Sequence, residues 1–81
     1  MRVCVQLFAV ARERAGREAI ELDLPIGATV AALRVALGEA VPALAASGSY
    51  LRFAVNADYA VDTTVIPAGA EVACIPPVSG G

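Results

Sequence analysis

The sequence ends in Glu71-Val72-Ala73-Cys74-Ile75-Pro76-Pro77-Val78-Ser79-Gly80-Gly81, a short apolar alternation that runs into two prolines and two glycines. Glu71–Ile75 alternates as a strand. Glu71 faces water, so Ala73 and Ile75 share its face while Val72 and Cys74 point inward. Pro76 and Pro77 have no N–H to donate and bias the backbone to an extended form. They stop the strand and project the final residues away from the folded body. Gly80 and Gly81 carry no Cβ, so a slim backbone can thread a channel too narrow for side chains. The carboxyl carbon of Gly81 is unhindered.

Upstream, the alternation recurs. Residues 2–8 place Val3, Val5 and Leu7 on one face and Cys4, Gln6 and Phe8 on the other. Residues 9–16 carry Arg12, Glu13 and Arg14 and read as a loop or short helix that Gly16 closes. Residues 18–24 put Ile20, Leu22 and Leu24 opposite Glu21 and Asp23 before Pro25-Ile26-Gly27 breaks the strand. These two strands are expected to form a hairpin. Thr29 predicts an N-cap for a helix over 30–38, with Val30, Leu33, Leu37 and Val41 as its apolar stripe and Val35 exposed. Gly38 and Pro42 are read as its end, and residues 41–49 as a connection with one loose turn. A strand over 50–56 turns Leu51, Phe53 and Val55 inward. Asn56-Ala57-Asp58 reads as a turn, 59–61 as a short strand, and 67–69 as another turn.

The expected fold is α+β: one mixed sheet over residues 1–75, with one main helix on one face and a tail over 76–81. The other face is then left partly open. Alternation puts Phe8 and Ile75 there, with Cys4 beside them. Cys74 faces the helix, so no Cys4–Cys74 disulfide is expected.

Composition narrows the function classes. The chain has 81 residues, room for a single small domain, and 58% of them are hydrophobic, which excludes a disordered segment. Its net charge of −2, with six arginines and no lysine, excludes a strongly basic nucleic-acid binder. No apolar run approaches a membrane span. The absence of His removes the commonest general base and metal ligand, and the absence of Lys removes Schiff-base chemistry. No internal ε-amine can attack an activated acyl group on the same protein. The two cysteines lie 70 positions apart without a CxxC spacing, so metal and redox motifs are not expected. Without a signal-peptide pattern, the expected location is the cytoplasm.

Chemistry therefore concentrates in the tail. The α-carboxylate is ionised at neutral pH. It can attack the α-phosphate of ATP and become an acyl-adenylate. A sulfur donor can then displace AMP and leave a thiocarboxylate. Catalytic groups must come from another protein.

At this point the sequence resembles the sulfur-carrier (small) subunits of molybdopterin synthases, ubiquitin-like β-grasp proteins. The resemblance rests on Leu7-Phe8-Ala9-x-x-Arg12-Glu13, Val55-Asn56, Gly69-x-Glu71-Val72-Ala73 and Pro76-Pro77-Val78-Ser79-Gly80-Gly81. It covers the whole chain, and the terminal hexapeptide is its most specific part. It implies that an E1-like, ATP-dependent adenylyltransferase activates Gly81, with Gly80 beside it. A sulfurtransferase system then forms the thiocarboxylate. The tail enters the large synthase subunit and donates sulfur to cyclic pyranopterin monophosphate within a heterotetramer. The chain itself is expected to be non-catalytic and to bind no cofactor, ATP being used by the activating enzyme. Phe8, Arg12, Tyr59, Ile75, Pro76, Pro77, Val78 and Ser79 are the implied partner contacts. The sequence departs from the family pattern at Ala70, Cys74 and Tyr59. Alternatives are a related carrier for thiamine or tRNA thiolation, or a ubiquitin-like protein modifier.

Overall fold

The structure, a computed structural model, describes residues 1–46 and 48–76. The expected tail residues Pro77, Val78, Ser79, Gly80 and Gly81 lie outside the described residues. The elements run β1 (Arg2–Leu7), α1 (Ala9–Ala15), β2 (Ala19–Asp23), α2 (Val30–Ala40), α3 (Pro42–Ala45), a 3-10 turn (Gly48–Tyr50), β3 (Arg52–Val55), β4 (Asp58–Ala60) and β5 (Glu71–Ile75).

Five strands form one mixed sheet in the order β2-β1-β5-β3-β4. The β1–β2 pair is an antiparallel hairpin, as the alternation predicts. β5 enters between β1 and β3, parallel to the first and antiparallel to the second. The last strand thus lies at the centre of the sheet. Its inward residues Val72 and Cys74 are almost fully buried.

One face is covered by the helices. Val3, Val5, Leu7, Ile20, Leu22, Phe53, Val55, Val72 and Cys74 meet Val30, Leu33 and Leu37 of α2. At about 1.5–3 kcal/mol per fully buried large side chain, this cluster is the main favourable term in folding. No polar or charged residue among those described is buried in it.

The start of α2 is fixed on both sides. The Thr29 side chain accepts from the Ala32 N–H at 3.3 Å, the expected cap. Val30 N–H donates to the Thr64 carbonyl and Ala31 N–H to the Asp62 carbonyl, each at 3.0 Å. The first donors of the helix, which have no partner within it, are thereby satisfied.

The far end of α2 corrects the sequence reading. The helix does not stop at Gly38 but runs through it to Ala40, and Pro42 opens a separate short helix. Gly38 faces α3: a Cβ built there lies 3.5 Å from the Ala45 Cα, within ordinary contact. The region read as a loose connection packs, because Leu44 is buried in the core. The third strand is also shorter than expected. Tyr50 belongs to the 3-10 turn, and β3 begins at Arg52. The fourth starts at Asp58, because Asn56 and Ala57, both at positive φ, complete the turn in two residues.

Candidate functional site

Strand register defines the face that the helices leave open. Ladder pairs run Ala19–Gln6–Ala73–Ala54–Tyr59 across all five strands. The adjacent row holds Ile75 opposite Arg52. Phe8 extends this row: its backbone is extended and its N–H donates to the Cys74 carbonyl at 3.3 Å. With Leu7 paired to Cys74, Phe8 lies level with Ile75. Cys4 sits two positions back from Gln6 along β1, between Glu21 and Glu71.

The floor of this face is made of alanines, so it is shallow. Ala54 is nearly buried yet contributes nothing to the helix-side core. Large apolar groups stand at the margins: Phe8 is 48% exposed and Tyr59 71%. An open depression of about 590 Å³ lies between Phe8, Gln6, Cys4, Ala54 and Ala73. A contiguous apolar patch on a small protein usually marks a contact surface.

The structure therefore brings Phe8, Ile75 and Tyr59 to one face, with the partly buried Pro76 leading off from its rim. It does not bring Arg12 there. Arg12 is exposed on α1, the helix that follows Phe8 and buries Ala11 on the opposite side of the sheet. Arg52 and Ala54 belong to the open face and were not singled out from sequence. The alternation of β3 carries that signal, since Phe53 and Val55 face the helices.

One polar cluster holds the β4 end of the fold. Arg34 on α2 donates to the carbonyls of Gly48 and Leu51, the latter at 2.6 Å, and pairs with Asp62 at 2.8 Å. Its guanidinium lies 5.1 Å from the centre of the Phe53 ring. Three bonds in a planar fork are what Arg supplies and Lys does not. Arg34 thus ties α2 to the strand that carries Arg52 and Ala54.

The two thiols differ, as the register predicts. Cys4 is exposed and Cys74 buried, and both are free. Burial pushes the Cys74 thiol up to about 11, an effect that the Arg34 charge partly opposes. Among the described residues no group of three His, Cys, Asp or Glu side chains could hold a metal ion, and no helix is long and apolar enough to cross a membrane.

Comparison with known proteins places this geometry. Residues 5–81 match the model of the ThiS family. The whole chain is 35% identical to a molybdopterin synthase sulfur carrier subunit from Arabidopsis thaliana, covering 84% of it. Among solved structures it is similar to SAMP1 from Haloferax volcanii, a small archaeal modifier protein, with a TM-score of 0.87, 32% identity and full coverage of both chains. One chain in the structure of a complex of subunits 1 and 2 of molybdopterin-converting factor from Helicobacter pylori shares the fold at 21% identity and a TM-score of 0.69, with full coverage of this chain and of that one. Matched along nearly its whole length and carrying the ubiquitin-like β-grasp sheet, the chain belongs to the ThiS family.

Proposed function

We propose that this protein is a sulfur carrier for molybdopterin synthesis, with its folded body as the docking element and residues 76–81 as the delivery arm. The observation that supports this best is the placement of β5. It lies in the middle of the sheet, so the arm starts at the rim of the open apolar face. A partner that covers Phe8, Ile75 and Tyr59 therefore receives the arm as well. The partner is the large synthase subunit, which supplies the catalytic groups and binds cyclic pyranopterin monophosphate. Pro76, Pro77, Val78 and Ser79 line its entry channel, and Arg12 pairs with a carboxylate or carbonyl at the edge of the contact.

The chemistry runs through the Gly81 carboxylate. One carboxylate oxygen attacks the α-phosphorus of ATP on an E1-like adenylyltransferase, and pyrophosphate leaves. The outer sulfur of a sulfurtransferase persulfide then attacks the acyl carbon and AMP leaves; a second thiol reduces the resulting acyl disulfide, forming a disulfide with the carrier sulfur and releasing the thiocarboxylate. Gly80 and Gly81 keep that carbon accessible.

The experiment is an intact-mass measurement after incubation with the activating enzyme, ATP and a sulfur donor. The expected result is replacement of one oxygen by sulfur. The chain lacking Gly81 keeps its melting temperature and loses sulfur transfer in a reconstituted synthase. Undiminished transfer by that variant would refute the reading.

Similarity to a small archaeal modifier protein favours a second reading, in which Gly81 is joined to lysines of other proteins. Isopeptide-linked Gly81 on target proteins from native cells would establish it.

A further inference from the structure

All six cationic side chains of this protein are arginines; the sequence contains no lysine. A guanidinium stays protonated at any physiological pH and does not act as an acyl acceptor. The Met1 α-amine is then the one primary amine in the sequence. It is partly buried and, as the ammonium, donates to the Leu24 carbonyl across the β1–β2 hairpin.

Strand direction separates this amine from the arm. β1 and β5 are parallel, so the beginning of β1 and the end of β5 lie at opposite ends of the sheet. Phe8 is level with Ile75, and Met1 lies seven residues back along β1, about 23 Å at the rise of a strand. The six residues from Pro76 to Gly81 span at most about 20–22 Å. Even at full stretch along the sheet, the terminal carbonyl falls short of its own N-terminus.

The thiols offer no lasting acceptor. Cys74 is fully buried. Cys4 is exposed, and an acyl group moved onto it would be a thioester, which still exchanges with other thiols and amines.

We infer that this chain is a donor-only acyl carrier: its body offers its own activated terminus no amine within reach, and that of another copy no side-chain amine, on which to form an amide. The inference rests on the carrier reading above for the activation step. The excluded reaction is aminolysis. In it an amine nitrogen would attack the acyl carbon, the acyl–oxygen bond to AMP would break, AMP would leave and the nitrogen would lose a proton. Should the terminus be joined to other proteins, it builds no chains of itself through side-chain amines.

The test uses the full chain prepared as a C-terminal thioester of a small thiol, with intact mass read over time at neutral pH. The wild type is expected to hydrolyse slowly, to form neither a cyclic amide nor a dimer joined through a side chain, and to take up added glycinamide. Arg52 is exposed and opposite Ile75, within reach of the arm. Arg52→Lys should therefore cyclise, giving a product lighter than the free acid by one water. Its thioester should disappear about ten-fold or more faster than that of the wild type. Arg2→Lys, at the far end, should give no cyclic product. A wild-type cyclic amide, or a wild-type dimer joined through a side chain, would overturn the inference. So would an Arg52→Lys chain that takes up glycinamide yet does not cyclise. A separate arm, with the activating enzyme, ATP and hydroxylamine, tests the carrier reading alone. A hydroxamate at Gly81 supports that reading, and its absence with active enzyme refutes it without altering the thioester result.

Discussion

Arg34 and Cys74 show how single side chains set the behaviour of this fold. Arg34 satisfies two loop carbonyls and the Asp62 carboxylate from one guanidinium. Arg34→Met keeps an unbranched side chain but removes the guanidinium over Phe53 and leaves those acceptors unpaired. It is expected to cost about 2–4 kcal/mol in urea unfolding, and Arg34→Lys to recover only part of that. For Cys74 the sign comes from linkage. Its thiol titrates at about 11 when folded against a reference of 9.0, so above that reference the unfolded chain loses its proton first. Stability is therefore retained below about pH 9 and declines as pH rises toward 11, by at most about 2–3 kcal/mol. Unfolding at about pH 8 and about pH 10.5, compared between wild type and Cys74→Ala, isolates this contribution. The burial of Cys74 was legible from the alternation of Glu71–Ile75. Arg34 was not, because its partners lie 14, 17 and 28 residues away.

Among the elements, α2 divides most clearly into what is local and what is not. Its start is a local matter. Thr29 has the oxygen that a first-turn N–H needs, and the sequence shows it. Its end depends on a neighbour. Gly38 reads as a terminator, yet the chain stays helical because Leu44 and the Ala45 backbone pack alongside. A mid-helix glycine with room for a methyl group is a site to improve. Gly38→Ala should raise stability by about 0.5–1 kcal/mol, seen as a higher melting temperature, since it removes unfolded-state freedom without a clash. A lower melting temperature would mean that α3 lies closer to α2 than this contact allows. Among the strands, alternation identified every inward residue of β1, β2, β3 and β5. The ends slipped by one or two positions at β3 and β4: a 3-10 turn takes up Tyr50, which composition alone reads as strand, and the turn at Asn56 and Ala57 closes one residue sooner than the expected three-residue turn.

For the molecule as a whole, the helices cover one sheet face and leave the other open, and on the carrier reading the open face meets the partner. Phe8→Ala and Ile75→Asp should weaken binding to the large synthase subunit by at least about ten-fold while changing the melting temperature little, since neither side chain belongs to the helix-side core. Calorimetry on the isolated chain and on its mixture with the partner separates these effects. A strongly destabilised chain with unaltered binding would assign both residues to structural packing. Most of this arrangement could be read from the amino acids alone: which face each strand residue occupies, where α2 begins, where β5 must stop, and the absence of any lysine. Those features obey rules that act over a few bonds, namely alternation, capping and the missing proline N–H. The tertiary structure alone decided that β5 enters the middle of the sheet, that Leu44 and Ile66 complete the core from outside the strands, and that Arg34 clasps three distant acceptors. Each of these depends on contacts between segments far apart in the chain, where the free energy of burying shared surface outweighs local preference.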